Sequence, residues 1–387
     1  MKLSVSTSII IASAIGATVT AYPAEFIKRG VSTALSFPCG DDVPNWVANI
    51  EIGTPSQILP LLLDTSSENT WVAGIMCHSE FCSTRKTQLF DAGKSLTIKN
   101  EHREITLEYN DGTVVENLYN DTFKIGGRVI DDFTFGKAFE VNGFNNSASF
   151  AGILGLGGSE ESLAKRDLLF DKRGPISSVG EPSTFYGASG IDYRRKRNNV
   201  GEKVCQFSFG FDESRISGDI AWIDLPTCDY GSTPFWKAKL TCAKIEGAVD
   251  LKFDKTVASF DTSVKNIQVP HTDIAKIHEG LGAKYNDKTD QYEFKCCYAK
   301  DLTFSFEKYD ITLPTEAYTK KIGLDGEYCT DVFEVLKPSK FDYENTWKLG
   351  TKFITNFVSI YDEHRRQTGL GLLATGGHSG IQIRAKK

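Results

Sequence analysis

The run PLLLDTSSENTWV, Pro60 to Val72, carries an aspartate straight out of an apolar strand and follows it with small hydroxyl residues. One such stretch reads as a strand ending in a turn or a helix cap. A second, VASFDTSVKNIQVP, Val257 to Pro270, stands in the other half of the chain. Further on, each half places an apolar pair before a glycine, in FAGILGLGG (Phe150 to Gly158) and in WKLGTKF (Trp347 to Phe353). A duplication of this size predicts two lobes related by an approximate twofold, each giving one aspartate, Asp64 or Asp261, to a shared cleft. Two carboxylates brought that close cannot both ionise with ease, so they share a proton. One then serves as general base toward a water, the protonated partner as general acid toward a carbonyl oxygen. Peptide-bond hydrolysis needs no more than this.

The remaining sequence frames a secreted, mainly β protein. Its 387 residues, 40% hydrophobic and 24% charged, are ample for two lobes, and a net charge of −6 argues against a nucleic-acid partner. Strand signals dominate in NWVANIEIG, EITLEYNDGTVVENLYNDTFKIGG, VCQFSFGF, DLTFSFEKYDITL and NFVSIYDEHRRQTGLGLL, punctuated by glycine-rich turns. Helical patterns are few, with TDIAKIHEGLGA (Thr272 to Ala283) the clearest. The opening MKLSVSTSIIIASAIGATVTAYPA reads as a secretory signal cut near Ala21 or Ala24. A membrane anchor is the competing reading, but the apolar run is short for a bilayer and no other stretch approaches that length. The expected organisation is a signal peptide over 1–21, a short pro-segment over 22–29 ending at Lys28-Arg29, a first β lobe over 30–210 and a second over 211–387. Between the halves runs a polar stretch, Lys172 to Lys203. Its basic cluster YRRKRNN (Tyr193 to Asn199) reads as a solvated loop, with a second processing site as the alternative.

Nine cysteines in an oxidising compartment should mostly pair and leave one over. Cys77 and Cys82 suit a small-loop bridge; Cys228–Cys242 and Cys39–Cys205 are further candidates. No CxxC pair faces another and the six histidines do not cluster, so neither a metal site nor a cofactor is expected. Asn120-Asp121-Thr122 and Asn145-Asn146-Ser147 are glycosylation sequons compatible with the secretory route.

From about Trp46 to its C-terminus the chain resembles the pepsin-like aspartic proteases. NWVANIEIGTPSQILPLLLD is similar to that family's opening strand, Gly-Thr-Pro turn and catalytic strand, and DTSSENTWV to its Asp-Thr-Gly-Ser-Ser-x-x-Trp-Val motif. EYNDGTVVENLYNDTFKIGG resembles the flap hairpin, FAGILGLG matches almost letter for letter, and WKLGTKFITNFVSIYDEHRRQTGLGLL resembles the terminal pattern. The resemblance implies a bilobal, pseudo-twofold β fold with a central cleft and a catalytic pair Asp64 and Asp261. It also implies Tyr109 closing the cleft with its hydroxyl toward Trp71, Gly112 at the hairpin tip, Thr65 and Thr262 cross-linking the lobes, and Ser67 hydrogen-bonding Asp64. Cys77 would pair with Cys82, and Cys329 with Cys296 or Cys297. The implied protein is a secreted or vacuolar monomer that cuts extended polypeptides at acid pH.

The sequence departs from that pattern at the dyad. Serine follows Asp-Thr in both halves, Ser66 and Ser263, where the family has glycine; side chains there are expected to crowd a bound peptide or strain the loops, while the supporting N–H is kept. Val264 stands where a hydroxyl residue supports the second aspartate, Lys265 where a serine meets substrate, and Thr351 where an aspartate follows Leu-Gly. A lost hydrogen bond to an ionised carboxylate costs about 1.5–3 kcal/mol. The alternative function is therefore a catalytically impaired protease-fold protein acting as inhibitor, decoy or binding protein.

Overall fold

The computed structural model describes residues 34–386 apart from 41–42, 86–87, 111, 146–148, 158–183, 189–202, 210–212, 227–235, 324, 338–344, 363–364 and 376–378. The expected signal and pro-segment, the basic cluster at 193–199 and Cys228 lie outside the described residues.

The fold is built from two β lobes that repeat one motif. In the first, the strand Gln57–Asp64 runs beside Gly152–Gly155 in parallel, pairing Leu62 with Ile153 and Asp64 with Gly155. The short strand Trp71–Ala73 then returns antiparallel against that neighbour. The second lobe does the same. Val249–Phe260 runs parallel to Thr346–Leu349, pairing Ser259 with Lys348 and Phe260 with Leu349, and Ile267–Val269 returns antiparallel. Both Asp-Thr-Ser turns thus leave the buried end of a central strand. The backbones cross so tightly there that only glycine fits. A Cβ on Gly155 would lie 2.6 Å from the Asn69 carbonyl oxygen, and one on Gly350 would lie 2.3 Å from that of Asn266.

Around these motifs the first lobe forms a seven-stranded sheet and the second an eight-stranded sheet. A six-stranded sheet joins them, in the order Leu35–Pro38, Val204–Phe209, Thr184–Ala188, Phe357–Asp362, Gln367–Leu373 and Ile216–Asp224. It takes three strands from each side of the boundary expected between 210 and 211, so the lobes are hydrogen-bonded through a common floor. Strands that are buried on both faces need continuous apolar runs, which Leu61 to Leu63 supply. The expected helix at Thr272 to Ala283 forms as His271–Gly280 directly after Pro270, which lacks an N–H and suits a helix start.

One hydrophobic core runs through both lobes and includes Leu61, Leu63, Trp236, Phe260, Trp347 and Phe353. Each such side chain, fully buried, contributes about 1.5–3 kcal/mol. The Trp236 indole also donates to the Leu156 carbonyl at 2.8 Å, stitching one lobe to the other. Disulfides join Cys39 to Cys205, Cys77 to Cys82 and Cys296 to Cys329. Cys242 is a free thiol and Cys297 is free and exposed; the candidate bridge from Cys242 to Cys228 falls outside the described residues. No helix among the described residues is long and apolar enough to cross a membrane.

Candidate active site

The floor between the lobes is a reciprocal network around the two threonines. The Thr65 amide donates to Thr262 Oγ1 at 3.0 Å, and the Thr262 amide to Thr65 Oγ1 at 3.0 Å. Each hydroxyl donates onward across the interface, Thr65 to the Phe260 carbonyl at 2.7 Å and Thr262 to the Leu63 carbonyl at 2.6 Å. Both threonines are buried. Every polar atom named here is therefore paired in a region where an unpaired one would cost about 1–3 kcal/mol. This network fixes the two Asp-Thr-Ser turns with respect to each other.

Asp64 and Asp261 project from those turns, 3% and 1% exposed. Each carboxylate accepts two hydrogen bonds on Oδ1 from the serine two residues on. Ser66 gives its amide and its hydroxyl to Asp64, both at 2.7 Å. Ser263 gives its amide at 3.0 Å and its hydroxyl at 2.6 Å to Asp261. The two serine hydroxyls lie 3.3 Å apart, so a chain of four oxygens links the carboxylates. Burial and the neighbouring Asp261 charge push the Asp64 carboxyl up to about 6, against the Ser66 hydrogen bonds and Lys348, which pull it down.

Two expectations change here. The hydroxyl on Asp64 comes from Ser66 and not from Ser67. Ser67 instead donates to the Asn69 carbonyl at 3.0 Å and lies 3.2 Å from the Tyr109 hydroxyl. The turn geometry is the reason: an aspartate that accepts from the N–H two residues on also has that residue's Oγ within reach. The second lobe repeats the substitution, with Ser263 supplying the hydroxyl that Val264 lacks. Both serine side chains fold back onto their own carboxylates and toward each other, which removes the ground for expecting them to crowd a peptide.

The dyad also holds a cation that its sequence context does not announce, Lys348. Its Nζ lies 3.5 Å from Asp261 Oδ2, and the residue is 7% exposed. Its counterpart in the first lobe is Ile153, since Ile153 and Lys348 occupy the same place in the two repeats. A lysine where the repeat has isoleucine is the signal that sequence alone carried. Lys265, standing where a serine is expected to meet substrate, holds its loop through its backbone carbonyl, which accepts the Lys352 amide at 2.9 Å. Thr351 caps the same crossing, its amide donating to the Val264 carbonyl at 2.9 Å.

The hairpin of strands Lys99–Glu108 and Thr113–Ile125 brings Tyr109 to Ser67 and Trp71, beside the first Asp-Thr-Ser turn. The Trp71 indole donates to the Tyr109 hydroxyl at 3.1 Å, and the Tyr109 ring packs edge-on against Phe144. Burial raises the Tyr109 phenol far above its ordinary range, so it stays neutral. Tyr109 N–H bonds the Gly112 carbonyl at 2.7 Å across the turn. A Cβ on Gly112 would lie 1.8 Å from the Asn142 carbonyl oxygen, which explains a glycine at that tip. The hairpin's second strand also carries Glu116, 1% exposed, its Oε2 without a hydrogen-bond partner and its carboxyl raised well above the usual range by burial. No cluster of metal-ligating side chains occurs among the described residues.

A family model for eukaryotic aspartyl proteases matches residues 45–373, which takes in both Asp-Thr-Ser turns, the hairpin and the six-stranded floor's later strands. The chain belongs to this family. Among similar aspartyl proteases and relatives, it is 29% identical over 329 residues to pregnancy-associated glycoprotein 2 of Bos taurus, covering 84% of this chain and 81% of that protein. It is 27% identical over 332 residues to cathepsin E of Cavia porcellus, covering 84% and 80%, and 26% identical over 358 residues to cathepsin E of Aquarana catesbeiana, covering 89% and 85%. For an aspartyl protease the first sequon is badly placed to carry sugar. Asn120 is buried and its amide lies 3.4 Å from Asp132, whereas Asn145 is exposed.

Proposed function

We propose that this chain is an aspartic-type endopeptidase that hydrolyses extended polypeptides at acid pH, using a water activated between Asp64 and Asp261. The observation that carries this reading is the cross-linked floor that holds the two buried carboxylates on one chain of hydroxyls. The ionised member takes a proton from water as the oxygen attacks the peptide carbonyl. The protonated member gives its own to the developing oxyanion. The dyad then gives a proton to the departing nitrogen and takes one from a hydroxyl of the tetrahedral intermediate, so that carboxylic acid and amine are released. With Asp64 raised to about 6, its acidic form is populated below that pH and lost above it, which sets the alkaline limb of activity. Tyr109, held by Trp71 and Ser67, covers the reacting peptide and excludes water. A strand-like substrate suits a cleft roofed by a β hairpin, where main-chain hydrogen bonds supply most of the affinity. The chain acts as a monomer without metal or cofactor. The three disulfides support an oxidising, secretory-route location, with residues 1–21 as signal, 22–29 as pro-segment and Asn145 as the glycan acceptor.

The Lys348 ion pair favours a second reading, because a carboxylate held by an ammonium is a weaker base. On that reading the protein binds peptide without turning it over. Calorimetry separates the two, using a peptide and its analogue in which a secondary alcohol replaces the scissile carbonyl. A hydrolase binds the analogue at least about a hundredfold more tightly than the amide, and loses that preference in Asp64→Asn. Equal affinity for the two ligands would leave only the binding protein.

A further inference from the structure

We infer that Ser66 and Ser263 form a polarised proton relay between the two carboxylates, running from Asp64 to Asp261, with the direction imposed by Lys348. This deepens the proposed function and rests on reading the two aspartates as an acid–base pair.

The number of protons on the dyad decides what the serines can do. The chain Asp64 Oδ1, Ser66 Oγ, Ser263 Oγ, Asp261 Oδ1 has gaps of 2.7, 3.3 and 2.6 Å. Three gaps need three protons, and the serines carry one each. With both carboxyls ionised, each hydroxyl donates to its own aspartate and the two serine oxygens face each other with nothing between them. With both carboxyls protonated through the chain, four protons compete for three gaps. One extra proton, and only one, completes every link: a carboxyl donates to the first serine, that serine to the second, and the second to the remaining carboxylate. The hydroxyls therefore stabilise the singly protonated dyad, which is the form that general acid–base hydrolysis requires. Glycines at these positions would leave no such bridge.

Symmetry would allow the chain to run either way, and Lys348 breaks it. The ammonium lies 3.5 Å from Asp261 Oδ2 and is nearly buried, so the negative charge belongs at Asp261 and the proton at Asp64. The other titratable groups around the pair reinforce or leave that order. Tyr109, which senses Asp64, and Glu116 behind it come from the hairpin, and Tyr361, which senses Asp261, comes from the strand Phe357–Asp362. Burial raises all three, so they are neutral in acid and add no charge to compete with Lys348.

The relay also restores the site after turnover. Water attack leaves its proton on Asp261 and leaves Asp64 as carboxylate, and the relay returns the proton to Asp64. Asp64 then gives it to the departing nitrogen while Asp261 takes one from a hydroxyl of the tetrahedral intermediate, so release of acid and amine leaves the same reversed order. Asp261 passes its proton to Ser263 Oγ, Ser263 passes its hydroxyl proton to Ser66 Oγ, and Ser66 passes its own to Asp64 Oδ1. One proton has moved from Asp261 to Asp64, both serines are neutral hydroxyls again, and no proton has been exchanged with solvent. Ser66, Ser263 and Lys348 act through the aspartates and are positioning residues.

Infrared difference spectroscopy of the whole protein in mildly acidic buffer tests this without needing turnover, so an inactive protein still gives an answer. Buried Glu116 supplies a protonated-carboxyl C=O band of its own, which Glu116→Gln removes; in that background the relay predicts one further band that vanishes in Asp64→Asn. Ser66→Ala and Ser263→Ala should each shift its frequency, with thermal unfolding confirming that the variants fold. Lys348→Met should divide the proton between the two carboxyls, adding a band that Asp261→Asn abolishes, whereas Lys348→Arg keeps the single dyad band. Where activity is present, the alanine variants should lose about tenfold or more in kcat with KM unmoved. With the Glu116 band removed, a band belonging to Asp261, a dyad band indifferent to both serines, or no protonated dyad carboxyl would overturn the relay.

Discussion

Replacing Asp64 by asparagine should change how stability depends on pH. Burial and the Asp261 charge push the carboxyl up to about 6 in the folded chain, against 3.8 for the free group. Between those values the native state holds a proton that the unfolded state has released. Since the slope of unfolding free energy with pH follows protons bound in the unfolded state minus those bound in the native state, it is negative in this window. Stability contributed by Asp64 is thus full below about pH 4 and lost as pH rises through about 6. A gap of about 2 between the folded and free values corresponds to about 3 kcal/mol across the window. Urea denaturation of wild type and Asp64→Asn at a series of pH values gives the comparison, with groups remote from the dyad cancelling in the difference. The wild type should lose about 3 kcal/mol relative to the variant between about pH 3.5 and 7. A flat difference, or one that rises with pH, would refute the claim that burial and Asp261 raise this carboxyl.

Three other outcomes follow from the same structure. Thr65→Val and Thr262→Val should each destabilise by about 1–3 kcal/mol, and the double variant by clearly less than their sum, because one network is broken twice; denaturation of the four proteins measures it. Glu116→Gln should gain stability over wild type as pH rises above the ordinary carboxyl range, since the buried Oε2 has no partner for a charge. Reducing Cys39–Cys205, which closes the longest of the three loops at a sequence separation of 166, should cost about 2–4 kcal/mol, read as a lowered unfolding midpoint.

Much of the arrangement was legible because the informative residues come twice. Asp64 with Thr65 and Asp261 with Thr262 follow apolar strands in both halves, and a repeated strand-to-turn step demands a common geometric reason. The dyad's finer chemistry was harder to read. Ser66 and Ser67 are adjacent and chemically alike, so only the turn's actual geometry decides which hydroxyl reaches Asp64. Lys348 sits between Trp347 and Leu349 in a buried strand, where a lone lysine ordinarily reads as a stem whose head reaches water. Only its alignment with Ile153 in the other repeat marks it out. The six-stranded floor was not legible either. Leu35–Pro38 pairs with Val204–Phe209 across most of the first lobe, and short strands carry no mark of so distant a partner.

The most direct test of the proposed acid–base pair is digestion of denatured haemoglobin by the purified protein from about pH 2 to 7, beside Asp64→Asn and Asp261→Asn. Cleavage confined to acid pH, falling away as Asp64 loses its proton near about 6 and absent from both variants, is the predicted result. Cleavage by wild type no greater than that of the asparagine variants at every pH would contradict it.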